Sequence, residues 1–199
     1  MAFNNNNYGN FNNGNNNGGE PKKKQNFRIG KLYGSDGILD VSVWNSDKGG
    51  VYCILNIKQA VGKDPSTGMN VYEQKMPNEL PSVFMNVEAV RTCLEYLKMT
   101  PVDQLNGKYD AGQSSIEFNS QGADVKITLT GKAGTRTITL KANTIGSKNI
   151  NASMLNLIDF LEIAFKYTKL AKLDTEAFGN VLASEGASGE VSNDESAPF

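Results

Sequence analysis

Two successive stretches of this sequence show the same order of patterns, an alternation with period two followed by helical periodicity. The first stretch runs from Phe27 to Met99 and the second from Lys108 to Lys172. Period two indicates a strand with one buried face, and apolar residues three or four apart indicate an amphipathic helix. We therefore predict an α+β fold built from a doubled strands-then-helix unit, in which two antiparallel sheets are each followed by a helix.

The first stretch combines strand, turn and cap signals. Apolar residues alternate over 39–43 and 51–57, and the turn-forming run 45–50 between them predicts a hairpin. A further turn is predicted at Asp64–Gly68, with extended segments at 71–76 and 82–85. Asn86 is a candidate N-cap, and Pro101 ends the helix that it starts. That helix has one apolar face made of Val87, Val90, Leu94 and Leu97.

The second stretch contains the most regular alternation, in a predicted hairpin over 125–141. Val125, Ile127 and Leu129 should face Ile138 and Leu140, which leaves the other surface polar and open. Asn151 or Ser153 should cap the last helix, whose apolar face is Met154, Ile158, Leu161 and Phe165. Further apolar residues widen that face, so we expect the helix to be buried on more than one side and the protein to form a homo-oligomer.

Charge and composition divide the chain into three parts. Residues 1–26 are predicted to be a disordered Asn/Gly-rich arm with a basic linker, 27–175 the folded domain, and 176–199 a disordered acidic tail. Residues 21–172 hold all 20 Lys and Arg against 14 Asp and Glu, a net charge of +6. Residues 173–199 hold 6 acids and no base. A basic domain beside an acidic tail favours a partner that is a polyanion.

Several classes of function are not expected from this sequence. There is no histidine, and the two cysteines, Cys53 and Cys93, are isolated in apolar runs. The sequence has no phosphate-binding loop, nucleophile elbow or metal-ligand spacing, so we predict a non-enzyme without cofactor or metal. No apolar run is long enough to span a bilayer and the first residues do not form a signal peptide. We expect a cytoplasmic protein, in the host cytoplasm if it is encoded by a phage, with reduced thiols.

Basic and aromatic residues recur on the predicted strands and their loops. Lysine and arginine bind backbone phosphates, and aromatic rings stack on unpaired bases. This combination predicts a surface for single-stranded nucleic acid. The candidate residues are Lys31, Tyr33, Trp44, Tyr52, Lys58, Lys63, Tyr72, Lys75, Lys126, Lys132, Arg136 and Lys141.

The last residues resemble the C-terminal tip of bacterial and phage single-stranded-DNA-binding proteins, which is acidic and closes on Pro-Phe. The matching residues are Asp194, Glu195, Pro198 and Phe199. A terminal phenylalanine presents a ring and a carboxylate at one point, which an apolar pocket with a basic rim can bind. The resemblance implies recruitment of replication or repair proteins through this tip.

The domain resembles the Whirly and positive-cofactor-four superfamily, in which four strands and a helix are doubled in one chain or dimerised and single strands bind across the sheets. The resemblance lies in the opening strand 27–31, the central strand 51–58 and Pro81–Met85 before the helix. It implies a single-stranded-DNA-binding protein of phage type, acting in replication or recombination. A five-stranded oligonucleotide-binding barrel is the rival fold. An oligomeric structural or assembly protein and an RNA-binding protein are the alternative functions.

Overall fold

The computed structural model describes residues 26–46, 50–75 and 79–173. Within them the chain forms eleven strands and two α-helices in a mixed α+β fold. The pairing between strands is antiparallel throughout. The prediction of antiparallel sheets with two helices is therefore confirmed at this level.

The first sheet is formed by five strands from the N-terminal half. They are β1 (Asn26–Tyr33), β2 (Gly37–Asn45), β3 (Val51–Lys63), β4 (Asn70–Tyr72) and β5 (Ser82–Met85). Strand β3 pairs with β2 along one edge, and its other edge pairs first with β5 and then with β4. The hairpin predicted at 45–50 joins β2 to β3, although residues 47–49 lie outside the described part.

Helix α1 (Val87–Met99) follows the first sheet and ends where the sequence predicts. The Asn86 side chain accepts a hydrogen bond from the Ala89 N–H, which confirms it as the N-cap. Thr100 ends the helix in an extended conformation, as expected for a residue that precedes a proline. A short 3-10 helix (Val102–Gln104) then leads to the second sheet.

The second sheet is a meander of four consecutive strands. They are β6 (Asn106–Ala111), β7 (Ser114–Gln121), β8 (Asp124–Gly131) and β9 (Gly134–Leu140). The register of β8 and β9 places Val125 opposite Leu140 and Ile127 opposite Ile138, as predicted. Strand β6 and the small hairpin of β10 (Asn143–Ile145) and β11 (Lys148–Ile150) were not predicted, because none of them has a continuous buried face.

The rival barrel is not supported by the strand pairing of the described residues. In neither the first sheet nor the second does a pairing join the first strand to the last, so both sheets stay open there. One continuous core fills the space between the inner faces of the two sheets and the two helices. The fully buried residues of that core include Leu39, Val41, Leu55, Ile57, Val83, Ile116, Ile127 and Leu140.

Backbone and side-chain hydrogen bonds from the first half cover the outer edge of β9. The Ser35 N–H donates to the Thr139 carbonyl at 3.1 Å, and the Thr139 N–H donates to Asp36 Oδ1 at 2.8 Å. Gln59 Nε2 donates to the Thr137 carbonyl at 2.5 Å. The edge of the second sheet is thus joined to the β1–β2 turn and to β3.

Helix α2 (Ala152–Leu173) closes the core. Its buried face is Met154, Leu157, Leu161 and Ala164, continued by Thr168. The other two residues of the predicted face, Ile158 and Phe165, are half-buried and pack against the core at the margin of this face. The Phe160 ring lies against Gly30, where a Cβ atom would overlap it. Glycine at that position therefore allows the helix to approach β1.

Asn151 is the cap of α2 and also joins the helix to the second sheet. Its side-chain oxygen accepts from the Met154 N–H at 3.1 Å, whereas Ser153 lies inside the helix. Its Nδ2 donates to the carbonyls of Ala123 and Leu140, both at 2.9 Å. One buried amide thus satisfies three backbone groups.

We predict that Asn151→Ala lowers the free energy of unfolding by roughly 2–4 kcal/mol, because a cap is lost and two carbonyls lose a donor. Asn151→Asp should lose only part of that free energy of unfolding, since it keeps the cap but removes the amide donor. Ser153→Ala is the control, with an expected change below about 0.5 kcal/mol. Urea unfolding followed by circular dichroism measures all three. An Asn151→Ala variant as stable as the control would contradict this role.

Candidate nucleic-acid interface

Half of the candidate residues lie on one face of the first sheet. Directly paired residues of antiparallel strands share a face, and Asp40 of β2 pairs with Lys31 of β1 and with Asn56 of β3. Lys31, Asp40, Asn56 and the alternate residues in register with them lie on the face opposite the core, which we call the outer face. The candidates that lie there are Lys31, Tyr33, Trp44, Tyr52, Lys58 and Tyr72.

Aromatic rings cluster at one end of the outer face. Trp44 of β2 pairs with Tyr52 of β3, and their ring centroids are 6.1 Å apart. Phe84 of β5 meets the Trp44 ring edge-on at 6.0 Å and is 44% exposed. Phe84 was missed in the sequence, although its position between the buried Val83 and Met85 is the signal of an outward-facing strand residue.

Basic side chains gather at the other end of the outer face. Arg28 Nε lies 3.1 Å from Asp40 Oδ1, and Lys31 and Lys58 lie on the strands either side of Asp40. A polar depression lies between these residues and Tyr72. Burial raises the pKa of Asp40 although the three cations oppose this, and burial together with the charge of Arg28 lowers the pKa of Lys31. Arg28 and Asp40 were not among the candidates from the sequence.

Two further candidates lie where the two sheets meet, and a third lies at the end of β3. Lys63 is exposed at the end of β3. Lys75 and Arg136 both pair with the carboxylate of Glu73, at 3.5 Å and 3.3 Å. Glu73 also accepts from the Gln59 N–H at 3.0 Å. The guanidinium of Arg136 is therefore held in the contact between the sheets.

The remaining candidates lie on the second sheet. Lys126 is exposed on its polar surface, Lys132 is exposed in the β8–β9 turn, and Lys141 pairs with Asp124 at 2.7 Å. Threonine pairs such as Thr128 and Thr137 cover much of this surface. The prediction of a polar, open surface here is confirmed, but the register also places Asp110 and Glu117 on it.

The two cysteines, Cys53 and Cys93, are buried free thiols. Burial raises the pKa of both cysteine thiols, that of Cys93 to about 12. Among the described residues, no group of three or more His, Cys, Asp or Glu side chains could hold a metal ion. Within the same residues, neither helix has the length and apolarity that crossing a bilayer requires.

The acidic tip predicted to bind partners, Asp194, Glu195, Pro198 and Phe199, lies outside the described residues, as does the Asn-rich arm. No protein-family model matches the chain, and no curated protein matches its sequence.

Proposed function

We propose that this protein binds single-stranded DNA and that the outer face of the first sheet is its principal binding surface. The observation that supports this is the convergence of three cations and three aromatic rings on one face. Arg28, Lys31 and Lys58 would contact backbone phosphates, while Trp44, Tyr52 and Phe84 would stack on bases at about 1–3 kcal/mol each. Both groups lie along positions 38–44 of β2, which span roughly 20 Å.

The finer fold proposal is that the chain carries two copies of a strands-then-helix unit, as in the Whirly and positive-cofactor-four superfamily. Its support is the element order, because a sheet of antiparallel strands precedes each helix. The halves differ in detail, since β4 extends the first sheet and the β10–β11 hairpin precedes α2. In this proposal the protein protects single strands during replication or recombination.

Trp44 is the only tryptophan of the chain, which makes DNA binding directly measurable. Oligo-dT should quench its fluorescence because a stacked base contacts the ring. Affinity should fall with salt, with a log–log slope of about −0.7 for each phosphate neutralised. Lys31→Ala with Lys58→Ala should weaken binding more than the matched pair Lys126→Ala with Lys141→Ala on the second sheet.

Four outcomes would count against this proposal or limit it. Affinity that does not change with salt would show that the protein does not contact phosphates. An unchanged Trp44 emission on binding would show that the site lies away from the aromatic cluster. Equal losses of affinity in the two double-lysine variants would indicate that DNA binds across both sheets. Tighter binding of oligo-rU than of oligo-dT would favour an RNA-binding protein.

The second candidate, an oligomeric assembly protein, is favoured by apolar side chains on the exposed side of α2. Leu155, Ile163 and Leu170 are exposed at spacings of about two turns, so they share one side of the helix. We propose that a second copy of the chain covers this side. The same contact would serve a DNA-binding oligomer, so the two candidates are compatible.

Ile163→Glu should therefore reduce the mass measured by light scattering, because it places a charge in the contact between copies. Ile163 is 38% exposed, so the monomer should still fold. Phe160→Glu is less informative, since that ring packs on β1. Thr130→Glu on the second sheet is the control. A wild-type protein that is monomeric at micromolar concentration would refute the oligomer.

The acidic tail is proposed to compete with DNA for the basic domain. Residues 173–199 carry six acids against the net +6 of residues 21–172. Removing residues 179–199 should tighten oligo-dT binding modestly at low salt, where the Debye length is about 30 Å at 0.01 M, and have less effect at 0.15 M. Deleting Phe199 alone should leave DNA affinity unchanged but abolish binding to a partner that recognises the tip. Weaker DNA binding after tail removal would contradict the competition.

A further inference from the structure

We infer that Arg28, Lys31 and Lys58 form a subsite for one phosphodiester group of a bound strand, with Asp40 as the resident counter-charge that the phosphate displaces. This inference rests on the proposed function and specifies which groups of the outer face meet the backbone. It assigns to Asp40 the role of setting both the affinity and the pH dependence of binding.

The geometry places one carboxylate in the middle of three cations. Asp40 lies at the centre of β2, between Lys31 on β1 and the neighbouring Lys58 on β3. Its side chain is only 14% exposed, whereas that of Arg28, whose Nε it binds at 3.1 Å, is 50% exposed. Arg28 therefore reaches solvent, and the half-buried Lys31 and Lys58 lie on either side of a carboxylate that is mostly covered.

The charges of this subsite leave a surplus that suits a phosphodiester. Three cations and Asp40 sum to a net charge of +2. Glu73 also lines the depression, but it binds Arg136, Lys75 and the Gln59 N–H. The charges of Arg28 and, less strongly, Lys58 repel that of Lys31, although burial is the larger cause of its lowered pKa. A phosphate would relieve that repulsion.

A phosphate in the subsite would also repel the Asp40 carboxylate. Its pKa, already raised by burial, would rise further in the complex, so that binding takes up a proton. Since the complex holds the proton more tightly than the free protein, affinity must increase as pH falls through the range between the two pKa values. The other titratable groups around Asp40 are Arg28, Lys31, Lys58, Tyr72 and Glu73.

None of these neighbours should produce the same pH effect. Lysine, arginine and tyrosine side chains of model peptides change charge well above pH 8. Burial raises the pKa of Glu73, but the Gln59 N–H bond and Arg136 together outweigh it, so that its pKa is lowered. The chain has no histidine. A rise in affinity in mildly acidic solution that is lost in Asp40→Asn would therefore report on Asp40, whereas a rise that remains would come from other carboxylates, such as those of the tail.

The test is the affinity of Asp40→Asn for oligo-dT, measured from Trp44 fluorescence between about pH 5 and pH 8. The wild type should bind more tightly as pH falls. Asp40→Asn should bind roughly threefold to tenfold more tightly than wild type at neutral pH and lose that pH dependence. Asp110→Asn is the matched control, because Asp110 pairs with Lys108 at 2.8 Å on the second sheet. It should behave as the wild type.

A second variant keeps the inference testable if Asp40→Asn does not fold. Arg28→Gln, at a half-exposed position on the edge strand, should weaken binding and make the salt slope shallower by about 0.7. An Asp40→Asn variant that binds more weakly, with the pH profile of the wild type, would mean that Asp40 only holds Arg28 in place, and would overturn the inference. Oligo-dT that fails to bind the wild type at any pH would instead overturn the proposed function.

Discussion

The hydrogen bonds that cover the outer edge of β9 are the contact on which the arrangement of the two sheets depends. An uncovered edge strand exposes unpaired N–H and C=O groups and invites association with other chains. Here the β1–β2 turn and β3 supply partners through Ser35, Asp36 and Gln59. The Glu73–Arg136 pair reinforces the same contact. The inner face of the first sheet is thereby held against the core, and its outer face is left for other contacts.

Local signals in the sequence predicted most of the secondary structure but not how the outer face is assembled. Asn86 and the alternation of 125–141 act through neighbouring residues or along one strand, so they can be recognised without the fold. The basic subsite depends on the register of β1, β2 and β3, which includes an irregularity between Arg28 and Gly30. That irregularity brings Arg28 to the side of Asp40, and alternation alone would not predict it. The exposed strand β6 was missed because its side chains are nowhere fully buried.

The outer face separates two kinds of interaction along the same strands. Near the β2–β3 hairpin the side chains are aromatic, and their attraction for a ligand would depend little on salt. Near Asp40 they are charged, and their attraction would weaken as salt screens it. Ser42, a small residue on the same face, is buried between these groups. The relative strength of the aromatic and the charged interactions would therefore depend on a few large side chains.

The covering of β9 also has a consequence for the synthesis of the chain. Its hydrogen bonds join residues 78 and 103 positions apart, so the partners of Asp36 and Gln59 emerge from the ribosome long after them. At about 5–20 residues per second, the 76 residues from Lys63 to Thr139 take about 4–15 s to translate. Until the end of that interval the apolar side of the first sheet lacks α2 and the complete second sheet as cover. We therefore expect the nascent first half to be more exposed to aggregation and to chaperones than the completed chain.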